Sequence, residues 1–160
     1  MEKFKTLEIL LKTPNSCIFH LYLNCPSHHN ALSHDFFSEF PKTLASLDQN
    51  PNINVVVLFG VGNHFCAGID LWTLYLIFEN FDSNNRGRGG KKLWRHIKYL
   101  QDAVTVIELY WKPVIASIQG ACIGGGIDLM TAYDIRVFFF GRVGLNLGIF
   151  FWVKWVSIGF

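Results

Sequence analysis

A chain of 160 residues, 51% hydrophobic and 16% aromatic, is long enough for one domain with a sizeable core, and with this composition disorder is not the default. A formal net charge of +2 is too small to argue for a nucleic acid or an anionic membrane as partner. Cys17, Cys25, Cys66 and Cys122 form no C-x-x-C pair, and Met1-Glu2-Lys3-Phe4-Lys5 lacks the apolar core of a signal peptide, so free structural thiols in a reducing intracellular compartment are expected.

Two apolar runs, Leu7 to Leu11 and Cys17 to Leu23, flank the turn residues Thr13-Pro14-Asn15-Ser16 and predict a β-hairpin. After the loop Pro26-Ser27-His28-His29-Asn30, Ser33 can cap a helix that carries Phe36, Phe37, Phe40, Leu44 and Leu47 on one face. Pro41 lies inside that helix and is expected to kink it or tighten its first half. Asn50-Pro51-Asn52 ends it, and Ile53 to Phe59 reads as a strand buried on both faces.

Residues 80 to 90 are polar and glycine-rich and predict a surface loop. Leu93, Ile97, Leu100, Val104, Ile107 and Trp111 then recur at helical spacing, with Pro113 ending the helix. Lys91, Lys92, Arg95 and Lys98 open this helix on its other faces; a solvated surface explains them, with attraction of a phosphorylated ligand as the alternative. Val114 to Ile118 predicts a second buried strand, Gly124 opens a helix through Met130, and Asp134 to Phe140 returns to strand. Repeated strand, helix, strand order implies an α/β domain with ligands at the loops that follow the strands.

Two segments carry the chemistry. His64-Phe65-Cys66-Ala67-Gly68-Ile69-Asp70-Leu71 and Ala116-Ser117-Ile118-Gln119-Gly120-Ala121-Cys122-Ile123-Gly124-Gly125-Gly126-Ile127-Asp128 each run from a strand through a glycine turn into a helix. Such turns aim backbone N–H groups, and two of them from separate turns can hold a developing oxyanion. The glycines of the second segment do not form a dinucleotide fingerprint, because Gly120 and Gly124 are four apart, and no Walker lysine follows. Asp128 stands in a first helical turn, where the macrodipole alone would favour an acid. His28 and His29 follow Cys25 without a second ligand pair, so no metal site is expected, and His64 reads as structural.

Leu23-Asn24-Cys25-Pro26-Ser27-His28-His29-Asn30-Ala31-Leu32, the block His64 to Leu71, and Lys112-Pro113-Val114-Ile115-Ala116 through Asp134-Ile135-Arg136 together resemble the crotonase (enoyl-CoA hydratase/isomerase) superfamily. The forms Gly68-Ile69-Asp70-Leu71 and Gly126-Ile127-Asp128-Leu129 are most similar to its Δ3,5-Δ2,4-dienoyl-CoA isomerases, including plant peroxisomal ones. The resemblance covers roughly residues 5 to 136.

It implies the N-terminal part of a crotonase (ClpP-like) ββα spiral, an activity on CoA thioesters in fatty acid β-oxidation, and no cofactor, since CoA belongs to the substrate. It further implies that the N–H groups of Ile69 and Gly125, with Gly126 adjoining, form the oxyanion hole. Ala67, Gly68, Ile69, Asp70 and Leu71 would line the CoA thioester site. Such isomerases take a proton from C2 of the acyl chain and return one at C6, which calls for an acid and a base on opposite sides of the diene. Asp128 matches a third, orienting carboxylate; a glutamate is usual there in hydratases, so aspartate disfavours a water-adding enzyme. Expected partners are an acyl-CoA and family trimers or hexamers, and the expected compartment is the peroxisome, with cytosol or mitochondrion as alternatives.

The chain departs from the family pattern after Arg136. Residues 137–160 hold no Asp or Glu, although family members place their proton-transfer glutamate and aspartate there. Cys25 stands where a basic residue is common. The expectation is therefore an incomplete crotonase-like domain over 1–136 followed by an aberrant apolar tail over 137–160, lacking the family's C-terminal helices and impaired in catalysis. The alternative is a non-catalytic acyl-CoA-binding fragment or subunit of a family oligomer. Val143 to Phe160 is apolar apart from Lys154 but falls short of the about 20 residues a membrane helix needs, so an anchor is disfavoured. Ser157-Ile158-Gly159-Phe160 is no Ser-Lys-Leu type address.

Overall fold

The computed structural model describes residues 4–10, 16–79, 86–139 and 149–153. Among these residues six strands form one sheet in chain order. Strand β1 (Leu7–Leu10) pairs antiparallel with β2 (Ile18–Leu23), matching the expected hairpin. Strands β2, β3 (Val55–Gly60), β4 (Val114–Gln119) and β5 (Ile135–Phe139) are mutually parallel, so helices must connect them. These connections are α1 (His34–Asp48), then α2 (Leu71–Glu79) with α3 (Arg86–Thr105), then α4 (Gly125–Thr131).

Helix α1 begins where the sequence places it. Ser33 takes extended φ/ψ and its Oγ accepts the Phe36 N–H at 3.4 Å. The helix runs on through Pro41 as one element and buries Phe36, Phe37, Phe40, Leu44 and Leu47 against the sheet. Carbonyls at and just beyond its C-terminus share one donor: Lys112 Nζ donates to the oxygens of Leu47, Asp48 and Asn50 at 2.9, 2.7 and 2.8 Å.

Three sequence expectations need correction. Strand β3 is not buried on both faces: Val56, Leu58 and Gly60 are buried, whereas Val55, Val57 and Phe59 are half-buried. On that second face His20, Tyr22 and Phe59 stack on one another, with centroids 5.0 and 5.2 Å apart to Phe59. Arg86–Gly90, expected as loop, already belongs to α3 despite its glycines. The same helix stops at Thr105, eight residues before Pro113, so Ile107 is buried by the chain turning inward and Trp111 is 90% exposed.

Of the expected loop at 80 to 90, residues 80–85 lie outside the described residues, as do 140–148 and 154–160 of the apolar tail. The rest of the tail is placed. Strand β6 (Ile149–Val153) closes the sheet antiparallel to β5, with Val153 opposite Ile135. The boundary drawn at Arg136 falls inside β5.

Candidate active site

Strands β3 and β4 are parallel neighbours, and the two glycine turns leave their carboxyl ends side by side, where open α/β sheets bind ligands. Backbone bonds stitch the turns together. The N–H groups of Phe65 and Cys66 donate to the Ala121 oxygen at 3.0 and 3.2 Å, and the Ile123 N–H donates to the Cys66 oxygen at 3.1 Å. Cys66 and Cys122 pair as an isolated parallel bridge, and Leu32 pairs likewise with Ile69.

Side chains remote in sequence complete this junction. Asn30 is buried; its Nδ2 donates to the oxygens of Val61 and His64, each at 2.9 Å, while its Oδ1 accepts the Cys25 N–H at 3.0 Å. His64 Nδ1 accepts the Ala121 N–H at 3.1 Å, which puts the ring proton of neutral His64 on Nε2. The structural reading of His64 is the one this geometry bears. Gln119 Nε2 also donates to the Gly60 oxygen, tying β4 to β3 at the same level.

The turns touch at their glycines. Gly68 has φ +95°, which favours glycine, and a Cβ built on it lies 3.0 Å from the Ile123 oxygen and 3.4 Å from the Gly125 nitrogen. A Cβ on Gly125 lies 3.5 Å from the Ile69 nitrogen. Standard bond geometry then keeps the Ile69 and Gly125 nitrogens within about 6 Å of each other, close enough for one oxygen to lie in reach of both. Neighbouring N–H groups are engaged: Ala67 donates to the His29 oxygen, Gly68 to Cys66 Sγ, Asp70 to the Leu32 oxygen, Gly126 to the Ile123 oxygen and Ile127 to the Gly124 oxygen. The N–H groups of Ile69 and Gly125 have no acceptor among the described residues.

Both residues line one cleft of about 680 Å3 between the turns and helices α2 and α3. Its walls are mostly apolar, with Phe37, Ile77, Phe78, Leu93, Leu100 and Val104 among them; Lys98, Gln101, Thr105 and Asp128 are the polar exceptions. Asp128, exposed in the first turn of α4, is the carboxylate of that wall among the described residues. Lys98 is held by Asp102 at 2.7 Å.

The other expected site residues lie around this cleft and not in its wall. Gly68 and Gly126 are buried beneath it, and a Cβ on Gly126 would meet Cys66 Cβ at 2.9 Å. Ala67 is half-buried behind the first turn. Asp70 caps α2, its Oδ2 accepting the Thr73 N–H at 3.1 Å and the Thr73 hydroxyl at 3.3 Å. Leu71 is 80% exposed. Thr73 Oγ1 in turn accepts the His34 N–H at 3.0 Å, joining α2 to the start of α1. Asn30 and Thr73 were not singled out from the sequence, because no local pattern marks a side chain whose partners lie more than thirty residues away.

All four cysteines are free. Burial pushes the Cys66 thiol from 9.0 up to about 11 against the lowering effect of the Gly68 N–H, and burial followed by the neighbouring Cys66 pushes Cys122 to about 11. At neutral pH both are held almost wholly as thiols, so their nucleophilicity grows as the pH rises.

A profile of the enoyl-CoA hydratase/isomerase family matches residues 13–156, and the chain belongs to that family. Among individual relatives it is 59% identical over 137 residues to the peroxisomal Δ(3,5)-Δ(2,4)-dienoyl-CoA isomerase of Arabidopsis thaliana, covering 85% of this chain and 49% of that protein. It is 34% identical over 142 residues to the mitochondrial enzyme of the same name from Homo sapiens, covering 89% and 41%. The fold is also that of an enoyl-CoA hydratase from Bacillus anthracis, with a TM-score of 0.68 at 26% identity over 84% of this chain and 47% of the other. A Shewanella pealeana enoyl-CoA hydratase at 23% identity shares the fold with a TM-score of 0.73, over 85% and 47%. The chain spans about half the length of the curated relatives it matches.

Proposed function

We propose that this chain binds a CoA thioester of an unsaturated fatty acyl chain, with the thioester oxygen between the Ile69 and Gly125 N–H groups, and that its chemistry descends from Δ3,5-Δ2,4-dienoyl-CoA isomerisation. The observation that carries this reading is the pair of amides, without an acceptor among the described residues, on two residues that line one apolar cleft. Loss of a proton from C2 moves negative charge onto the thioester oxygen, and each preorganised donor contributes about 3–4 kcal/mol to such a transition state. The apolar wall then takes the hydrocarbon chain, and Asp128 orients the diene from the α4 side. Moving a proton from C2 to C6 rearranges the diene without oxidation, so the proposed reaction calls for no cofactor.

Asp128 cannot serve both ends of the diene, and residues 137–160 supply no second carboxylate. The 160-residue chain is therefore proposed to bind its thioester without turning it over at an enzyme-like rate. Two missing acid–base groups, each contributing roughly 10²- to 10⁴-fold, remove most of the acceleration. The second reading, a non-catalytic acyl-CoA-binding subunit, rests on the same lack of a carboxylate partner. The peroxisome is the proposed compartment, on the strength of the plant relative's name.

Calorimetry with a 3,5-dienoyl-CoA, set against free CoA, tests the binding. Micromolar or weaker affinity is expected from two backbone donors and one apolar cleft, and sub-micromolar affinity would call for contacts beyond these. Gly125→Pro removes one donor at a first helical position, where proline fits. Because a Cβ there lies 2.8 Å from Ile69 Cγ1, the comparison belongs in an Ile69→Ala background. A roughly tenfold loss of affinity is expected, worth about 1.4 kcal/mol; unchanged affinity in a folded variant rules out the oxyanion assignment. The absorbance of the conjugated 2,4-diene reports turnover, and robust turnover dependent on Asp128 overturns the impairment.

A further inference from the structure

Cys66 and Cys122 sit directly opposite each other where the two turns meet. They are partners in an isolated parallel bridge. The usual strand spacing of about 4.8 Å falls inside the Cα separation of about 4.4–6.8 Å that disulfides adopt, and paired residues of neighbouring strands direct their Cβ atoms to the same side. Three backbone hydrogen bonds, to the Ala121 oxygen from Phe65 and Cys66 and to the Cys66 oxygen from Ile123, fix this register. Both thiols are free; Cys66 is buried and Cys122 half-buried, so a small oxidant reaches Cys122 first. Behind them the fully buried Tyr133 hydroxyl has no hydrogen-bond partner among the described residues, and both thiols lie near enough to raise its pKa.

We propose that Cys66 and Cys122 form a reversible intramolecular disulfide on exposure to hydrogen peroxide, cross-linking the turns that carry Ile69 and Gly125. The Cys122 thiolate attacks one peroxide oxygen, the O–O bond breaks, and the departing hydroxide takes up the thiol's proton as water. The resulting sulfenic acid is attacked at sulfur by the Cys66 thiolate; the S–S bond forms and the second hydroxide leaves, again as water. Two thiols lose two electrons and two protons, and peroxide is reduced to two waters. The site claims nothing about acyl-CoA and stands whether or not the thioester reading does.

The experiment uses the full 160-residue chain with Cys17→Ser and Cys25→Ser, leaving the two thiols in question. After peroxide and N-ethylmaleimide, intact mass should show the loss of two hydrogens and no alkylation, with dithiothreitol restoring two alkylatable thiols. A tryptic digest should link the peptide containing Cys66 to that containing Cys122. The titrating neighbours are the two thiols and Tyr133, and because both thiols ionise near pH 11 the rate should rise about tenfold per pH unit from pH 7 to pH 10. Adding Cys122→Ser should abolish the mass loss. Two alkylated thiols after oxidation, chain-to-chain cross-links, or added oxygens in place of a disulfide each overturn the proposal. If the serine variants fail to fold by circular dichroism, peptide mapping of the unaltered chain decides: a Cys66–Cys122 link supports the proposal, and linkage through Cys17 or Cys25 instead refutes it.

Discussion

Replacing Gly126 by alanine tests the contact on which the site is built. A Cβ there meets Cys66 Cβ at 2.9 Å and the Cys66 oxygen and Sγ at 3.1 Å each, well inside the 3.5–4.0 Å of a comfortable carbon contact. The Cys66 oxygen is not free to retreat, because it accepts the Ile123 N–H at 3.1 Å. Overpacking of this kind costs about 1–3 kcal/mol, while exchanging glycine for alanine in a helix returns up to about 1 kcal/mol. The net expectation is a destabilisation of about 1–2 kcal/mol. With a urea slope of about 2 kcal/mol per molar, the unfolding midpoint should fall by about 0.5–1 M. Gly90→Ala supplies the opposite sign: it lies in α3 with nothing within 4 Å of the added Cβ, so the helix gain stands alone and the midpoint should rise by about 0.3–0.5 M. If Gly126→Ala matches or exceeds the stability of the parent chain while Gly90→Ala behaves as expected, the two turns are not in contact and the oxyanion geometry fails with them.

Tyr133→Phe should raise the thermal midpoint by about 2–4 °C, since it removes a buried hydroxyl that lacks a partner among the described residues and whose desolvation costs roughly 1 kcal/mol; a fall would reveal a hydrogen bond to that oxygen. Lys112→Met should cost about 1–3 kcal/mol in urea unfolding by leaving the Leu47, Asp48 and Asn50 oxygens without their shared ammonium, and a neutral result would mean water replaces it freely. Stability should decline above pH 9, because the unfolded chain releases the Cys66 and Cys122 protons near pH 9 and then those of Tyr110 and Tyr133, whereas burial makes the native state hold all four to higher pH. Cys66 contributes on the order of 2 kcal/mol to that decline and the half-exposed Cys122 less, so Cys66→Ala should make it shallower between pH 9 and 11; an undiminished slope there would assign the effect elsewhere.

The parts of this fold that were legible in the sequence are those whose periodicity and punctuation agree. In α1 the Phe36, Phe37, Phe40, Leu44, Leu47 stripe, the Ser33 cap and the Asn50-Pro51 stop point to the same element. In α3 they do not. The stripe continues in spacing through Ile107 and Trp111, but no local signal says that the chain leaves the helix at Thr105, and the buried Ile107 is satisfied equally by a turn. Arg86-Gly87-Arg88-Gly89-Gly90 carries the lowest helix propensity in the region and is helical all the same, extending the element that packs α3 against α1 and α2. The second face of β3 was misjudged for a related reason. A run of apolar residues tells how little each would lose by burial, not whether a layer exists to cover it, and here a stack of His20, Tyr22 and Phe59 takes its place.

The candidate site divides along the same line. The proposed donors are backbone groups, so the glycine pattern that allows the turns is enough to single out Ile69 and Gly125 as candidates from sequence. What holds those amides at one point, namely the Asn30 side chain, the His64 ring and the Cys66–Cys122 bridge, depends on tertiary neighbours and could not be. Proton transfer makes the opposite demand, because it needs carboxylates at defined positions and no backbone group can substitute for them. On the proposed reading, both turns and Asp128 serve thioester binding, while residues 137–160 hold no Asp or Glu to pair with Asp128 in proton transfer. The proposed thioester binding draws on backbone groups at the carboxyl ends of β3 and β4, and the proposed loss of turnover draws on side chains, so calorimetry and diene absorbance test the two separately.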